Sequence, residues 1–489
     1  MLLDHFFSVA EVHAASTAIV SPSSDVTYHE LAEDIKSLSS LLDGLGLGQN
    51  RTIALQGVNS IDFVVAYLAA GHAGMCVVPI DARLSFAEIN ALIADCSPAA
   101  AITFHREGTL GLAHLMGSDN GQQFEGIKSR CTILPNKHGD PRIQVKKGDL
   151  VIHYSSGSTG KPKGIILSHS AIFHKVNNWN MTLGITPSDV FLCTLTLTHC
   201  YGMYIHVLAA LLSGARVYLP DLNTISPGRI AQMIKQFEVT VFGTLPYMYK
   251  LFLRLDPRKV DLGAVRYMIS GSAPLASSTA SMFNERFGRN INQVYGLTET
   301  GLICFNKDAK HPMSLGQLTV NMEARILNDY GEDAAIDEPG ELVVRCQSMA
   351  REYLNSPAET QVGFRGGWFH TKDIVRCDAN GGFYMCGRLS EFINVGGNKV
   401  LPAEVENVLL NHDGVADVAV LGRRNEDGDE EVVAFVIRRP EAFSLQYNEL
   451  LQYCSMHLAP YKLPRSIRFV DEFPKSPVGK VLKSALSVL

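Results

Sequence analysis

"YSSGSTGKPKGIILSH" occupies Tyr154–His169. Glycines and hydroxyls crowd together here, two lysines close the run, and almost nothing in it can pack. Asp149-Leu-Val-Ile-His153 precedes it and Ile165-Ile-Leu167 follows. Both flanks are short and rich in β-branched residues, so the spacing predicts two strands joined by a loop. Small successive residues let backbone N–H groups converge on an anion, and Ser155, Ser156, Ser158 and Thr159 add hydroxyl donors. Lys161 and Lys163 add positive charge, which makes a polyphosphate the natural guest. A Walker loop would need G-x-x-x-x-G-K-[ST] opening a helix. Pro162 follows Gly160-Lys161 instead, and the next segment reads as a strand. A surface hairpin with no ligand is the plain alternative for the loop on its own.

The surrounding chain is 489 residues long, 46% apolar and 19% charged, with a net charge of −6. That length favours two to four domains. The charge balance gives no reason to expect nucleic acid or anionic membrane as partner. The start, Met1-Leu-Leu-Asp-His-Phe-Phe7, has no basic residue before an acid, so no signal peptide is expected and a cytoplasmic location is. Ile61–Ile80 is the longest apolar stretch, but Asp62, Gly71-His72 and Pro79 make it a buried helix running into a buried strand. Ten cysteines are scattered without a C-x-x-C pair. Reduced thiols are expected, with neither zinc site nor disulfide framework.

Thr27-Tyr-His-Glu30 has capping-box spacing, and Leu31, Ile35, Leu38, Leu42 and Leu45 follow at helical intervals. Strand-like runs at Arg51–Leu55, Met75–Pro79, Arg216–Leu219 and Val265–Ser270 alternate with helical patterns, which argues for α/β layers with buried parallel sheets. The last hundred residues read as a compact α+β unit. It has a helix from Pro402 to Leu410, strands at Val415–Leu421 and Glu431–Ile437, a helix over Asn448–Leu458 and a last strand at Ile467–Val470. A boundary is expected in Gly387–Glu391. The expected organisation is thus a large N-terminal α/β domain over 1–387, a hinge at 388–391 and a small mobile α+β domain over 392–489.

With its Pro-Lys-Gly ending, the Tyr154–Gly164 loop resembles a signature of the adenylate-forming, or acyl-activating, enzymes. Further blocks appear in that family's order. Gln293-Val-Tyr-Gly-Leu-Thr-Glu-Thr300 resembles the second signature. The resemblance implies that Tyr295 stacks on adenine beside Gly296, Thr298 contacts the α-phosphate and Glu299 holds Mg²⁺. Those types suit the tasks: an aromatic face, a hydroxyl donor and a hard oxygen ligand. Ser270-Gly-Ser-Ala-Pro274 is similar to the loop lying against adenine, giving roles to Gly271, Ser272 and Ala273. Gly367-Trp-Phe-His-Thr-Lys-Asp373 resembles the block whose Asp binds ribose, although Lys372 stands where a glycine is usual. Arg388 is expected to reach ribose or phosphates, and Ser390 replaces the usual Asp or Lys of the hinge.

Gly396-Gly397-Asn-Lys399 is similar to the segment lining the thiol tunnel, and Pro474–Lys480 to the block whose lysine bridges acyl oxygen and α-phosphate. The resemblance therefore assigns catalytic roles to Lys480, Lys163, Thr298 and His199, and cofactor contacts also to Gly157 and Gly160. Thr196–Gly202 resembles the block whose His faces the carboxylate. It makes His199, Tyr201, Gly202, Tyr247 and Ser270 the candidate acyl pocket. No acid lies between Thr194 and Ser213. A buried ammonium without a carboxylate is costly, which disfavours an α-amino acid.

The implied activity is an AMP-forming acid–thiol ligase using ATP and Mg²⁺ on an apolar or aromatic carboxylic acid. Its acceptor would be CoA or a separate carrier protein's phosphopantetheine. The alternatives are a stand-alone amino-acid-activating enzyme that loads a carrier, and a luciferase-like or purely nucleotide-binding relative. A P-loop kinase or ATPase would differ in its products.

Overall fold

The computed structural model describes residues 1–47, 50–104, 106–118, 121–137, 145–156, 162–396, 398–425, 430–474, 481 and 483–486. The side chains of 106–110, 156, 390 and 484 lie outside that description. The expected loop residues Gly157–Lys161, Gly397, Lys480 and the side chains of Ser156 and Ser390 therefore fall outside the described residues.

The chain divides into two compact units. The first comprises Met1–Pro312, Leu318–Glu323 and Val344–Phe369, and the second comprises Met313–Gln317, Ala324–Val343 and His370–Leu489. The first unit holds two large sheets. In one, the strands Val190–Cys193, Val241–Thr244, Tyr267–Ser270 and Asn292–Leu297 lie side by side in parallel, and Gly301–Phe305 returns antiparallel on Asn292–Leu297. In the other, Cys76–Asp81, Thr52–Gly57 and Ala100–Thr103 run parallel. Asp149–Ser156 extends that sheet and Pro162–Ser168 pairs back on it antiparallel. Thr52–Gly57 lies between two parallel neighbours and is buried at every position, Thr52 and Gln56 included.

The capping box forms as its spacing requires: Thr27 accepts from Glu30 N–H, and Glu30 caps Thr27 N–H, opening the helix Tyr28–Gly44. Ile61–Ile80 becomes the helix Ile61–His72 and the strand Cys76–Asp81. Among the described residues no helix is long and apolar enough to cross a membrane. All ten cysteines are free thiols.

In the second unit, Val415–Arg424, Glu430–Arg438 and Ser466–Phe469 form a three-stranded sheet. The helices Pro402–Leu410 and Tyr447–Ser455 bring Val405, Leu409, Leu450 and Cys454 into the same apolar core as Val420 and Ala434. The second helix stops three residues before its expected end at Leu458. Met456 and His457 N–H donate to the carbonyls three residues back, tightening the last turn ahead of Pro460.

Candidate active site

The opening stretch folds as two antiparallel strands, Asp149–Ser156 and Pro162–Ser168, with Ser155 in register with Lys163. A strand after the lysines, rather than a helix, is the geometry that separates this loop from a Walker loop. Lys163 Nζ lies 2.6 Å from Glu359 and 5.8 Å from the Tyr353 ring centroid. Tyr353 reaches this place because Glu352–Tyr353 adds an edge strand to Pro162–Ser168, pairing Tyr353 with Ile165.

Tyr353 also joins Lys163 to the second signature. Its hydroxyl donates to Glu299 Oε1 at 2.9 Å, and burial with the adjacent Glu299 charge pushes the phenol's pKa far up. The segment Thr298–Thr300 is fixed carbonyl by carbonyl. Lys175 Nζ donates to Thr298 O at 3.2 Å, Ala350 N–H to Glu299 O, and Ser348 Oγ–H to Thr300 O at 2.7 Å. Lys175 sits on the helix His169–Leu183 and is only 6% exposed. Burial pulls its pKa down to about 8 against the opposing charges of Cys346, Cys200 and Glu299. Its stem crosses Gly301, where a Cβ would stand 2.9 Å from Lys175 Cγ.

Tyr295 and Gly296 lie on the strand Asn292–Leu297, the tyrosine half-buried. A Cβ on Gly296 would meet Gly301 O at 2.5 Å and Leu302 Cα at 2.8 Å, so the tight return of this strand needs glycine there. Gly271 follows the strand Tyr267–Ser270, and its position touches Val294 and the Tyr201 ring. Ser272 adopts φ +67° and is exposed, and Ala273 is half-buried.

On the acyl side, His199 caps the short helix Cys200–Gly202. Its Nδ1 accepts from Tyr201 N–H at 3.2 Å, which places the ring proton on Nε2. Cys200 Sγ stands 3.7 Å from Thr298 Oγ1 and 4.0 Å from His199 Nδ1. Burial alone would raise the thiol's pKa; His199, Thr298 and Lys175 together hold it below its ordinary value. The helical run continues with a π-turn over Met203–Leu208, a geometry found often at functional sites.

Tyr201 is buried, and a Cβ on Gly202 would fall 2.4 Å from Thr196 O. Ser270 is buried with no partner for its Oγ among the described residues, whereas Tyr247 is 52% exposed on the helix Pro246–Phe252. His206 is fully buried with its Nδ1–H donating to Tyr201 O at 3.0 Å, so it builds the wall behind Tyr201. The described structure thus brings Thr298, Glu299, His199, Tyr201 and Gly271 onto adjoining strand ends and helix starts of the first unit.

In the second unit, Asp373 is 1% exposed and in register with Arg388 on the paired strand Phe383–Arg388. Arg388 Nε bonds Asp373 Oδ1, and Arg388 Nη2 lies 3.4 Å from Oδ2. Lys372 takes φ +61°, the left-handed region that a glycine would enter freely. Its N–H donates to Glu341 Oε1 at 3.2 Å. Gly396, with φ +54°, turns the hairpin Ile393–Val395 to Asn398–Val400, and Lys399 on it is exposed over the Phe392 ring.

Lys175, Cys200, Tyr353 and Glu359 escaped the reading from sequence. Lys175 had a signal: Ile172, Lys175, Val176, Trp179 and Leu183 share one face of their helix, and a lysine interrupts an otherwise apolar stripe.

The chain matches the AMP-binding enzyme family over residues 6–354 and the AMP-binding enzyme C-terminal domain over 404–480. It is 29% identical to the long-chain-fatty-acid–CoA ligase FadD13 of Mycobacterium tuberculosis, covering 98% of this chain and 96% of that protein. Against the indoleacetate–CoA ligase of Aromatoleum aromaticum the identity is 30%, over 97% and 95% of the two chains. In three dimensions it superimposes on ATP-bound MatB from Rhodopseudomonas palustris with a TM-score of 0.86, at 24% identity and over 99% and 98% of the chains. The anthranilate CoA ligase AuaEII in complex with anthranoyl-AMP gives 0.84, at 24% identity and over 100% and 96%. The chain belongs to the AMP-binding, adenylate-forming enzyme family.

Proposed function

We propose that this protein is an AMP-forming acid–thiol ligase. It joins an apolar or aromatic carboxylic acid to the α-phosphate of ATP, releases pyrophosphate, and passes the acyl group to the thiol of CoA. The observation that carries this reading is the segment Thr298–Thr300, whose three consecutive carbonyls are each tethered beside His199.

A carboxylate is ionised at neutral pH and already nucleophilic, so the first step needs no general base. What the site must do is hold two anions together. Rigid donors aimed at the developing charge achieve this without reorganising during reaction. Thr298 Oγ–H is one such donor, held by its tethered backbone. His199 Nε2–H is the second, assigned to the acid by resemblance. Lys163 supplies cationic charge from the neighbouring strand and exchanges Glu359 for phosphate when nucleotide enters. Lys480 is inferred, on resemblance, to join acyl oxygen and α-phosphate.

Glu299 suits Mg²⁺, since this ion is commonly held by one or two carboxylates plus substrate phosphates, and Tyr353 orients the carboxylate through Oε1. When bound, the ion would neutralise phosphate charge. On the nucleotide, Tyr295 is the stacking face with Gly271, Ser272 and Ala273 at its edge, and Asp373 with Arg388 takes the ribose. We infer that 1–387 form the adenylating domain and 392–489 the small domain, hinged at 388–391, with Gly396, Gly397 and Lys399 guiding the thiol arm.

The acyl side has Tyr201 and Met203 buried and no carboxylate between Thr194 and Ser213, which supports an acid without an ammonium group. The test is acid-dependent pyrophosphate release across a panel of fatty, aryl and amino acids, followed by thioester formation with CoA against a phosphopantetheinylated carrier. Release with apolar acids and a CoA thioester is expected. Release with α-amino acids alone, or ADP as product, refutes the reading.

A further inference from the structure

Lys175 is a buried ammonium that the mechanism above leaves unused. Its ammonium donates to a neutral carbonyl, Thr298 O, and the Glu299 carboxylate acts on it without a direct ion pair among the described residues. A charge taken out of water is expensive unless an opposite charge meets it. The groups around it are His199, Cys200, Thr298, Glu299 and Cys346, the residues at which the adenylation chemistry is placed. Its stem is locked over Gly301, and its helix is anchored through the fully packed Trp179. The ammonium thus sits inside the fold, with its stem packed against Gly301.

We propose that Lys175 is a positioning residue for the nucleotide: it pins the Thr298 carbonyl and sets a fixed positive charge behind that segment, whose counterion is the phosphate that binds in front. This rests on the assignment of Thr298 to the α-phosphate. The free enzyme then carries a cation that Glu299 compensates only in part, and nucleotide binding completes the compensation. Such a residue contributes to ATP affinity and not to recognition of the acid. Its removal also lifts a desolvation cost from the fold.

The test uses the full chain with ATP and Mg²⁺ and no acid, read by calorimetry, so the comparison stands whether or not any acid releases pyrophosphate. Lys175→Met removes donor and charge while keeping the stem. ATP binding is expected to weaken about ten- to hundredfold, the size of one lost charge-assisted contact. The thermal midpoint should stay level or rise, and the KM of the acid should remain within twofold. Lys175→Gln keeps a donor for Thr298 O without the charge and should bind ATP several-fold more weakly than the wild type. Lys175→Arg, which keeps the charge, should recover part of the loss. Unchanged ATP affinity in the Met variant overturns the proposal. So does wild-type affinity in the Gln variant, or a loss of affinity that merely follows a falling thermal midpoint.

Discussion

Two buried histidines should make the first unit acid-sensitive in a calculable way. His153 is 5% exposed and bonds Tyr204 Oη at 2.6 Å through Nε2. Burial, together with the charges of His199 and Lys175, pulls its pKa from 6.5 down to about 3. His206 is fully buried, and burial pulls its pKa down to about 4. Both are neutral in the fold and become cationic on unfolding below pH 6.5. The unfolded state thus binds more protons, and stability falls as pH drops from 6.5 until the folded pKa values are reached.

Between pH 7 and pH 5 each histidine should cost roughly 2 kcal/mol, so the pair costs about 4 kcal/mol, a large share of a typical folding free energy. Both tryptophans, Trp179 and Trp368, lie in the first unit, and Trp179 is 1% exposed, so their fluorescence reports that unit. Urea titrations at pH 7, 6 and 5 on the wild type, His153→Gln and His206→Gln give the pH slopes directly. Each variant, whatever its stability at pH 7, should lose about 2 kcal/mol less than the wild type on acidification. Variants that keep the wild-type slope would falsify the claim that these imidazoles are held neutral by burial.

The remaining expectations concern the segment around Thr298–Thr300 and the strand that carries Asp373. Tyr353→Phe removes the hydroxyl that holds Glu299 Oε1; the Mg²⁺ concentration for half-maximal pyrophosphate release should rise about tenfold, while the KM of the acid stays level. Gly296→Ala places a methyl group against Gly301 O and Leu302 Cα. Neither backbone can step aside cheaply, so a loss of about 1–3 kcal/mol in urea unfolding and weaker ATP binding by calorimetry are expected. Lys372→Gly should stabilise the second unit by about 1 kcal/mol, because a residue at φ +61° gives way to one that tolerates it; unchanged or lower stability would contradict that account.

The Lys372 position shows what could be read from sequence and what could not. Alternating apolar runs and a capping box at Thr27 are local patterns, and the strands and helices formed where those patterns lay, with ends displaced by a residue or three. Tyr295, Thr298, Glu299, Asp373 and Arg388 stood out as candidates because each sits in a short run whose residue types are suited to one chemical task. The backbone consequence of putting lysine at 372 was not legible, since a side chain reveals its φ only when the strand around it is built. The register of Asp373 with Arg388 explains why this geometry persists: the pair fixes both strands, and the strained residue is carried between them.

Long-range tethers were the other hidden layer, and they decide how the site works. Lys175 meets Thr298 across 123 residues and Tyr353 meets Glu299 across 54. Neither partner belongs to the run it supports, so no spacing rule connects them. Yet a catalytic donor helps only if it is already aimed when charge develops, and an exposed loop cannot aim itself. A segment whose carbonyls are held from one side by a helix lysine and from the other by the 348–353 stretch keeps its hydroxyl and carboxylate directed without substrate. The residues that name the proposed chemistry are those assigned to the nucleotide. The ones that hold that segment lie behind them, and Lys175 betrays itself only as a charge on the apolar face of a helix.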